Sequence, residues 1–475
     1  MQLTTLRNYC FGVMALTLLF TSVSFATSHD YEQSDREIRD TLQRALDEYN
    51  IPGASLALTQ GEHTTKINLG TTSKDTKIDS DAPFLIGSLS KSITALTIFT
   101  LVQDNKLSLD APIDTYLPTF EYENSASSSP ITVRHLLEQT SGIGALDGLD
   151  VTDRDYESAS PLREATNRLS GLTLQSAPGE RYIYTSANYL LLGSIIESVT
   201  GTSYSDVVRA KVFSPLGMNR TSADASDATQ HGLVAGHQSW FGSPIKGSGF
   251  YDNSGAPYGY ISSTTNDMIK FLGFMHDGGE ILDKTHHALL KAIPAGDSTY
   301  INGWHYNKKE GFFYHGGATP EFRAEMFYYP DSDTSGVILT NKYHSLEDAQ
   351  VSNIMQNIRT IAAGKTPAAL PAQHHTIQWA LLALNFVMIG LFVRSVATYR
   401  KRPVRSKKFR FISGGLLVVT AAGLSYALPY VFGAPWHSTL LFAPDVAYLS
   451  IILIAATILH AVLLFLPKVR NENSK

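Results

Sequence analysis

The sequence predicts an α/β protein: an antiparallel sheet flanked by helices, with a helical insertion domain, followed by three transmembrane helices. Strand-like stretches lie near both ends of residues 27–361, and the part between them has mostly helical and loop patterns. Three long apolar runs follow residue 376. The simplest fold that joins these segments is a single sheet. Its first strands would come from the N-terminal part and its last strands from near residue 340.

The sheet is predicted from short runs that turn residues bound on both sides. Residues 54–59 and 65–69 flank a Gly61-Glu62 turn and are expected to form a hairpin. Later runs of the same kind lie at 311–315, 322–329 and 336–340. We therefore expect both ends of this region to contribute strands to one sheet.

The first 26 residues are expected to be a cleaved secretory signal peptide. Arg7 precedes an apolar run at residues 11–20, and Ser-Phe-Ala at 24–26 has the small-x-small pattern of a cleavage site. Cys10 is the only cysteine and precedes the apolar run, whereas the cysteine of a lipoprotein signal would follow it. An uncleaved anchor helix is the alternative. Without cysteine the mature domain would depend on a large apolar core, which about 340 residues can form.

The charges divide the chain into two unlike parts. Residues 27–370 contain 26 basic and 41 acidic residues, whereas residues 371–475 contain 11 basic and 2 acidic residues. An acidic domain has no general attraction for nucleic acids or other anionic polymers. We therefore expect no nucleic-acid partner, and a small-molecule or peptide substrate that is recognised locally. The sequence shows no metal-ligand constellation, and no cofactor is expected.

The three apolar runs, at 377–393, 411–433 and 446–466, contain no Asp, Glu, Lys or Arg. Each is long enough, or nearly so, to cross a bilayer core of about 30 Å as a helix. Residues 394–410, between the first two runs, contain eight basic residues and no acidic residue. Such a loop is expected to be cytoplasmic.

This charge pattern predicts one topology. A domain at 27–361 faces the periplasm or the exterior, and a linker at 362–376 joins it to the inner (plasma) membrane. Three transmembrane helices occupy 377–467, and a short tail at 468–475 is cytoplasmic. The lipid bilayer is thus an expected partner, and a homodimer formed through the membrane helices is left open.

The first candidate catalytic motif is Ser88-x-x-Lys91, which precedes an apolar segment at 92–102. The segment predicts a buried helix with Ser88 at its N-terminal end, so that Ser88 and Lys91 share one face. A serine nucleophile needs an adjacent base and amide donors for the oxyanion. A buried lysine can be that base because desolvation lowers its pKa. The same pattern at 243–246 runs into glycines and cannot continue as a helix, which favours Ser88, although a simple helix N-cap is the alternative.

Two later stretches extend this chemistry. Tyr184 begins a Tyr-Thr-Ser sequence on a loop that enters an apolar helix. His315 ends a predicted strand and is followed by two glycines, where a substrate backbone can approach closely. Alone, a tyrosine before a helix is usually a packed aromatic residue, and a histidine at a strand end is usually a hydrogen-bonded polar residue. The combination of the three motifs favours catalysis.

Together these motifs resemble the serine β-lactamase and penicillin-binding-protein superfamily, in the class C-like branch that includes D-aminopeptidases and esterases. Further similar stretches are Ile-Thr-Val-Arg-His-Leu-Leu at 131–137, Thr-Ser-Gly at 140–142 and Pro-Leu-Gly-Met at 215–218. The resemblance covers roughly residues 35 to 345 and implies a β-lactamase/transpeptidase-like fold.

The resemblance implies a role for each motif residue. Ser88 would be the acylated nucleophile, Lys91 the proton-relay lysine and Tyr184 the second general acid and base. The residues expected around the substrate and the oxyanion are Ser186, His315, Gly317 and Ala318. The backbone amides of Ser88 and Ala318 would form the oxyanion hole. The implied reaction is acylation of Ser88 with loss of an amine or alcohol, followed by hydrolysis.

Two positions depart from the lactamase pattern. Ser186 stands where lactamases and transpeptidases have an asparagine that holds an acylamido group. His315 replaces a lysine, so a titratable imidazole with an ordinary pKa near 6.5 stands in place of a fixed cation. Both departures argue against efficient β-lactam turnover. Three charged residues beside the motifs are further candidates for the pocket lining: Glu180, Glu321 and Arg323.

The sequence therefore predicts a membrane-anchored serine hydrolase that cleaves amide or ester substrates. The layout also resembles the membrane-bound peptidases that mature nonribosomal peptide prodrugs such as colibactin, which remove an N-acyl-D-amino-acid cap. Ser186 matches their motif serine, whereas Gly255 and residues 319–321 stand where an asparagine side chain would be recognised. A β-lactam-binding protein, a β-lactamase or a sensor is the other alternative, although the short cytoplasmic segments leave no room for an output domain.

Overall fold

The structure is a computed structural model that describes residues 31–72, 76–124, 129–399 and 407–466. The expected signal peptide, part of the basic loop and the expected cytoplasmic tail lie outside the described residues.

The described strands range from two to eight residues. They are β1 (Gly53–Gln60), β2 (His63–Gly70), β3 (Phe84–Leu85), β4 (Tyr122–Glu123), β5 (Leu172–Thr173), β6 (His237–Trp240), β7 (Ser243–Lys246), β8 (Ser262–Ser263), β9 (Tyr300–Ile301), β10 (Trp304–Asn307), β11 (Phe312–Thr319), β12 (Phe322–Tyr329), β13 (Thr334–Thr340) and β14 (Lys342–Tyr343).

Seven of these strands form one antiparallel sheet in the order β2-β1-β13-β12-β11-β10-β9. The N-terminal hairpin joins the C-terminal strands through β1 and β13, where Ala54 lies opposite Thr340. The prediction of one sheet built from both ends of the domain is therefore confirmed. The 243–246 stretch forms β7, in a separate small sheet, so it does not place its serine and lysine on a helix.

The helices occupy the long middle of the domain and the C-terminal part of the chain. They are α1 (described from residue 31 to 49), α2 (Ser90–Gln103), α3 (Val133–Leu137), α4 (Ala145–Val151), α5 (Pro161–Leu169), α6 (Ser186–Thr200), α7 (Tyr204–Val208), α8 (Ser214–Leu216), α9 (Ala225–Gln230), α10 (Thr265–Asp277), α11 (Lys284–Leu290), α12 (Ala349–Ala362), α13 (Thr376–Ala397), α14 (Lys407–Phe432), α15 (Trp436–Phe442) and α16 (Pro444–Phe465).

Helices cover both faces of the sheet. On one face, Leu42 of α1 and Ile358 of α12 pack with Leu56 and Ile338 of the sheet in one buried apolar cluster. On the other face, α10 packs against β1 and β13. A larger cluster continues from there into α2 and α6. The helix α2, which follows the Ser88 motif, is therefore buried inside the domain, as its apolar sequence predicts.

Strand β11 is longer than the sequence suggests. The prediction ended it at His315, but the strand continues through both following glycines to Thr319. Gly317 lies opposite Ala324 of β12, and a Cβ atom on Gly317 would come within 2.0 Å of the Ile86 carbonyl oxygen. The glycines thus serve close packing against a neighbouring segment rather than a turn.

The three C-terminal apolar helices are long and apolar enough to cross a membrane: α13, α14 and α16. This confirms the prediction of three transmembrane helices by length and composition. The sequence did not predict α15, which lies between α14 and α16. Both α15 and the first turn of α16 contact the N-terminal domain, and His344 Nε2 lies 2.8 Å from Asp445 Oδ1.

Candidate active site

Ser88 lies in a 3-10 turn, Gly87–Leu89, that leads directly into α2. Gly87 has a φ of +57°, and a Cβ atom at this position would come within 2.2 Å of the backbone nitrogen of Ala318. Glycine alone tolerates both the left-handed conformation and this close approach. The turn therefore sets Ser88 at the start of a buried helix and directly beside β11.

Lys91 is fully buried one helical turn after Ser88. Its Nζ donates to Ser88 Oγ at 2.8 Å and to the carbonyl oxygen of Tyr258 at 2.7 Å. Burial lowers the pKa of Lys91 to about 7, and the nearby charge of Asp153 opposes this shift. A large fraction of Lys91 is therefore neutral near pH 7 and can accept the proton of the Ser88 hydroxyl.

Tyr184 lies beside both Lys91 and Ser88. The Lys91 Nζ is 5.1 Å from the centroid of the Tyr184 ring. Burial raises the pKa of the Tyr184 phenol, and a side-chain hydrogen bond with Ser88 lowers it by a smaller amount. The phenol is therefore protonated at neutral pH, which suits a proton donor better than an initial base.

Gln139 fixes the segment that carries Tyr184, and sequence reasoning missed this residue. Its side-chain oxygen accepts hydrogen bonds from the Thr185 backbone N–H at 3.1 Å and from Asn188 Nδ2 at 2.6 Å. Its backbone oxygen accepts from the Ile183 N–H at 2.9 Å. The only sequence signal for Gln139 was a polar residue next to the Thr-Ser-Gly stretch at 140–142. Its partners are more than 40 positions away, so the sequence did not reveal its role.

The backbone of Gly317 and Ala318 is held against the Ser88 turn. Gly317 packs on Ile86, and Arg323 Nη1 donates to the Gly317 carbonyl oxygen at 3.3 Å. Ser88 and Ala318 line the same cavity. An oxyanion hole made by their two backbone amides requires this juxtaposition.

Ser186 is the first residue of α6 and lines the same cavity as Ser88. The preceding Thr185 caps the helix, because its hydroxyl accepts a hydrogen bond from the Ala187 N–H. The cap holds the cleft-facing end of α6 in place.

His315 packs beside Tyr184 and is not among the residues that line the cavity next to Ser88. Its side chain is 2% exposed, its ring centroid is 6.2 Å from that of Tyr184, and its Nδ1 is 2.6 Å from the Gly316 carbonyl oxygen. Burial holds the pKa of His315 well below its ordinary value. The ordinary pKa near 6.5 of an unperturbed histidine therefore does not apply to His315, and its imidazole is neutral at physiological pH.

His305 is a second, half-buried histidine in this cluster, and no sequence motif points to it. Its ring stacks on Tyr184, with centroids 6.1 Å apart and an interplanar angle of 25°, and lies 5.1 Å from the ring of His315. Burial lowers the pKa of His305 to about 4. The residue belongs to β10, a four-residue strand that is too short to give a clear periodic pattern.

Asp153 is a half-buried carboxyl group on the cleft wall, in the same cavity as Ser88. The Tyr260 hydroxyl donates to Asp153 Oδ1 at 2.7 Å, and the Asp153 N–H donates to the hydroxyl oxygen of Tyr258 at 3.0 Å. Tyr258 donates in turn to Asp252 Oδ2 at 2.5 Å. This network places a carboxyl group near Lys91, which sequence reasoning also missed.

The three charged residues expected to line the pocket do not line the described cavity beside Ser88. Glu180 accepts a hydrogen bond from the Ala177 N–H, and Glu321 is buried and accepts from the Gly249 N–H at 2.9 Å. Arg323 pairs with Asp348 at 3.0 Å. These charges fasten loops and strands, and nothing in their contacts supports a place in the pocket lining.

The Asp153 charge gives a testable pH effect. Burial raises the pKa of Asp153 itself, and the hydrogen bond from Tyr260 and the charge of Lys91 oppose that shift. Ionised Asp153 stabilises protonated Lys91, so Asp153→Asn should lower the pKa of Lys91 further. Activity that requires neutral Lys91 rises with pH through about 7 in the wild type, so the variant's rising limb should lie at lower pH. The measurement is kcat/KM against pH. Asp150→Asn, an exposed carboxylate three positions earlier, is the matched control and should leave the limb in place. An unmoved limb in Asp153→Asn would contradict this coupling.

An antiparallel sheet of this kind with a Ser-x-x-Lys helix against it defines the serine β-lactamase and penicillin-binding-protein superfamily, and the fold and the site place the chain there. The chain belongs to the Beta-lactamase family, whose family model matches residues 38–356.

Three similar proteins illustrate the range of this family. Protein flp from Staphylococcus aureus strain NCTC 8325 is 24% identical over 458 residues and covers 91% of both chains, so the likeness includes part of the C-terminal helices. EstCE1, a hydrolase with promiscuous acyltransferase activity, has a TM-score of 0.59 at 20% identity, covering 69% of this chain and 98% of that chain. D-amino acid amidase from Ochrobactrum anthropi SV3, complexed with L-phenylalanine amide, has a TM-score of 0.56 at 25% identity, covering 69% and 99%.

Proposed function

We propose that this protein is a membrane-anchored serine hydrolase that cleaves ester or amide substrates through an acyl-enzyme on Ser88. The observation that carries the proposal is the 2.8 Å hydrogen bond between Ser88 Oγ and the Nζ of buried Lys91, whose pKa burial lowers to about 7. A lysine in this state is a base beside a nucleophile.

Acylation follows from this arrangement. Neutral Lys91 accepts the proton of Ser88 as the Ser88 oxygen attacks the substrate carbonyl carbon. The electron pair of the carbonyl double bond moves to oxygen, where the Ser88 and Ala318 amides stabilise the negative charge. When the tetrahedral intermediate collapses, the bond to the leaving amine or alcohol breaks, and the leaving group takes a proton from the Tyr184 phenol. The proton held by Lys91 then returns to Tyr184.

Deacylation repeats these steps with water. A water molecule attacks the acyl carbon while the Tyr184 and Lys91 pair accepts one of its protons. The acid product then leaves as Ser88 recovers its hydrogen. The two residues thus act as one relay, consistent with the 5.1 Å between the Lys91 Nζ and the Tyr184 ring centroid.

Two features favour esters and peptides over β-lactams. His315 is buried and neutral, so it offers no fixed cation for a β-lactam carboxylate. Ser186 offers a hydroxyl where lactamases hold an acylamido group with an amide. The solved relatives named above include a hydrolase and an amidase, which is consistent with this substrate class.

The proposed location is the inner membrane, with the catalytic domain facing the periplasm or exterior. The signal-like N-terminus and the basic loop between the first two spans support this orientation. Removal of an N-acyl-D-amino-acid cap from a prodrug is a second candidate, favoured by Ser186 and by the three C-terminal helices.

A substrate panel tests the proposal. We expect the full chain in lipid nanodiscs to hydrolyse p-nitrophenyl esters or D-amino-acid amides, including N-acyl-D-Asn amides. A chromogenic cephalosporin should turn over little or not at all. Right-side-out membrane vesicles should hydrolyse a membrane-impermeant member of the panel. Rapid cephalosporin hydrolysis would instead indicate a β-lactamase. Activity only in inverted vesicles would contradict the proposed orientation.

A further inference from the structure

The membrane helices form one wall of the cleft that contains Ser88. A cavity of about 550 Å³ is lined at one end by catalytic-domain residues such as Ser88, Ser186 and Ala318. The rest of its C-terminal lining comes from all three spans, from α15 and from the residues that adjoin α15: the apolar Ile377, Val431, Phe432, Ala434, Phe442, Ala443 and Val446, and the polar Ser438 and Thr439. The C-terminal helices are therefore part of the cleft as well as a candidate membrane anchor.

Three of the apolar lining residues lie at the level where the spans meet the domain. Ile377 is the second residue of α13, Val431 is the last but one of α14, and Val446 is the third of α16, so all three stand at the same end of the bundle. Val431 and Ile377 are 74% and 45% exposed. This part of the cavity wall is thus apolar and reaches the surface that lipid would cover.

Buried polar contacts hold this wall in place. The His344 and Asp445 side chains are fully buried and 2.8 Å apart, and the Phe241 N–H donates to Asp445 at 3.0 Å. Arg154 Nη2 lies 3.1 Å from His437 Nδ1 of α15. A buried pair of this kind favours one arrangement of its two elements, because separating them would leave a buried polar or charged group without a partner.

We infer that the part of the cavity formed by the C-terminal helices, the apolar arm, binds the hydrocarbon chain of an amphiphilic ester or amide that reaches Ser88 from the bilayer. The inference rests on the proposed function. The chain belongs on the acyl side of the scissile bond, because Ser186 occupies the position at which the superfamily holds acyl-side groups, and Ser186 shares this cavity. The headgroup would then leave with the amine or alcohol.

The expected signature is a dependence on acyl-chain length. Burial of one methylene group changes transfer equilibria by a factor of about three to four. We expect kcat/KM for p-nitrophenyl alkanoates to rise by about this factor per methylene from acetate, and to level off once the arm is filled. The measurement uses the full chain in nanodiscs, with chains from acetate to decanoate.

Longer esters also concentrate in any bilayer. A variant is therefore needed to distinguish binding of the acyl chain in the arm from partition of the ester into lipid. Ala434→Trp places a large ring in the half-buried lining of the arm. It should lower the decanoate-to-acetate ratio of kcat/KM at least about tenfold and leave acetate turnover within about twofold. Val419→Trp, at a 68% exposed position of α14 outside the cavity lining, is the matched control and should keep the wild-type ratio.

The outcomes separate this inference from the function on which it rests. Acetate hydrolysis that depends on Ser88, with equal chain-length ratios in wild type and Ala434→Trp, would overturn the apolar arm and leave the hydrolase intact. A length preference seen only in acetate esters of long-chain alcohols would place the chain on the leaving side and overturn the assignment. Absence of hydrolysis that depends on Ser88 across the series would overturn both.

Discussion

Replacing Ser88 with alanine is expected to lower hydrolysis of every substrate by a factor on the order of 10⁴ to 10⁶, as removal of a serine nucleophile does elsewhere. The substitution removes the atom that forms the acyl-enzyme. It leaves Lys91 its second hydrogen bond, to the Tyr258 carbonyl oxygen, so the fold should persist. The measurements are the steady-state rate and the melting temperature of the full chain.

The chain contains its own matched control for this experiment. Ser243 begins the second Ser-x-x-Lys sequence, but it is exposed and lies on β7. Ser243→Ala should keep the wild-type rate. A folded Ser88→Ala variant that retains more than a tenth of the wild-type rate would show that another residue is the nucleophile.

The second large effect concerns Lys91. Lys91→Met keeps much of the side-chain volume but removes the base, and we expect turnover to fall by about 10² to 10⁴. Tyr184→Phe should produce a loss of the same order because it removes the proton donor for the leaving group. The measurements are single-turnover acylation with p-nitrophenyl acetate for Lys91→Met, and with a D-amino-acid amide, whose amine must leave protonated, for Tyr184→Phe.

Lys246→Met supplies the control for the lysine exchange, since Lys246 belongs to the exposed end of β7. The account also predicts that the rising pH limb near 7 disappears from Lys91→Met, because the group that titrates there is gone. Wild-type acylation by folded Lys91→Met, or an unchanged pH limb, would show that the base is misassigned.

Local sequence patterns predicted the parts of the site that neighbouring residues determine. The spacing of Ser88 and Lys91, followed by an apolar helix, describes one helical turn, and the structure has that turn. The short runs at residues 54–59 and 336–340, bounded by turn residues, marked strands that pair in the sheet. These features depend on interactions a few residues apart, so the sequence alone contains them.

The remaining features depend on contacts between distant positions. Gln139 binds residues more than 40 positions later, and Asp153 meets Tyr260 across 107 positions. Burial lowers the pKa of His315, and it results from packing that no motif records. Glu321 and Arg323 stand beside the motifs in the sequence yet bind other segments. Adjacency along the chain was therefore a poor guide to the lining of the cleft.

The docking of the membrane helices was the least predictable feature. The apolar runs indicated three spans, but the contact between His344 and Asp445 joins positions 101 residues apart. The short helix α15 has no distinct pattern of its own between two apolar runs. Its place against the cleft, and with it the apolar arm, became visible only in three dimensions.

Peptide mass spectrometry after reaction with a fluorophosphonate tests whether Ser88 is the residue that becomes acylated. We expect a phosphonyl adduct on the peptide that contains Ser88 and none on the peptide that contains Ser243. Ser88→Ala protein of equal stability should stay unlabelled. An adduct on a different residue, or no adduct on folded wild-type protein, would show that Ser88 is not the nucleophile.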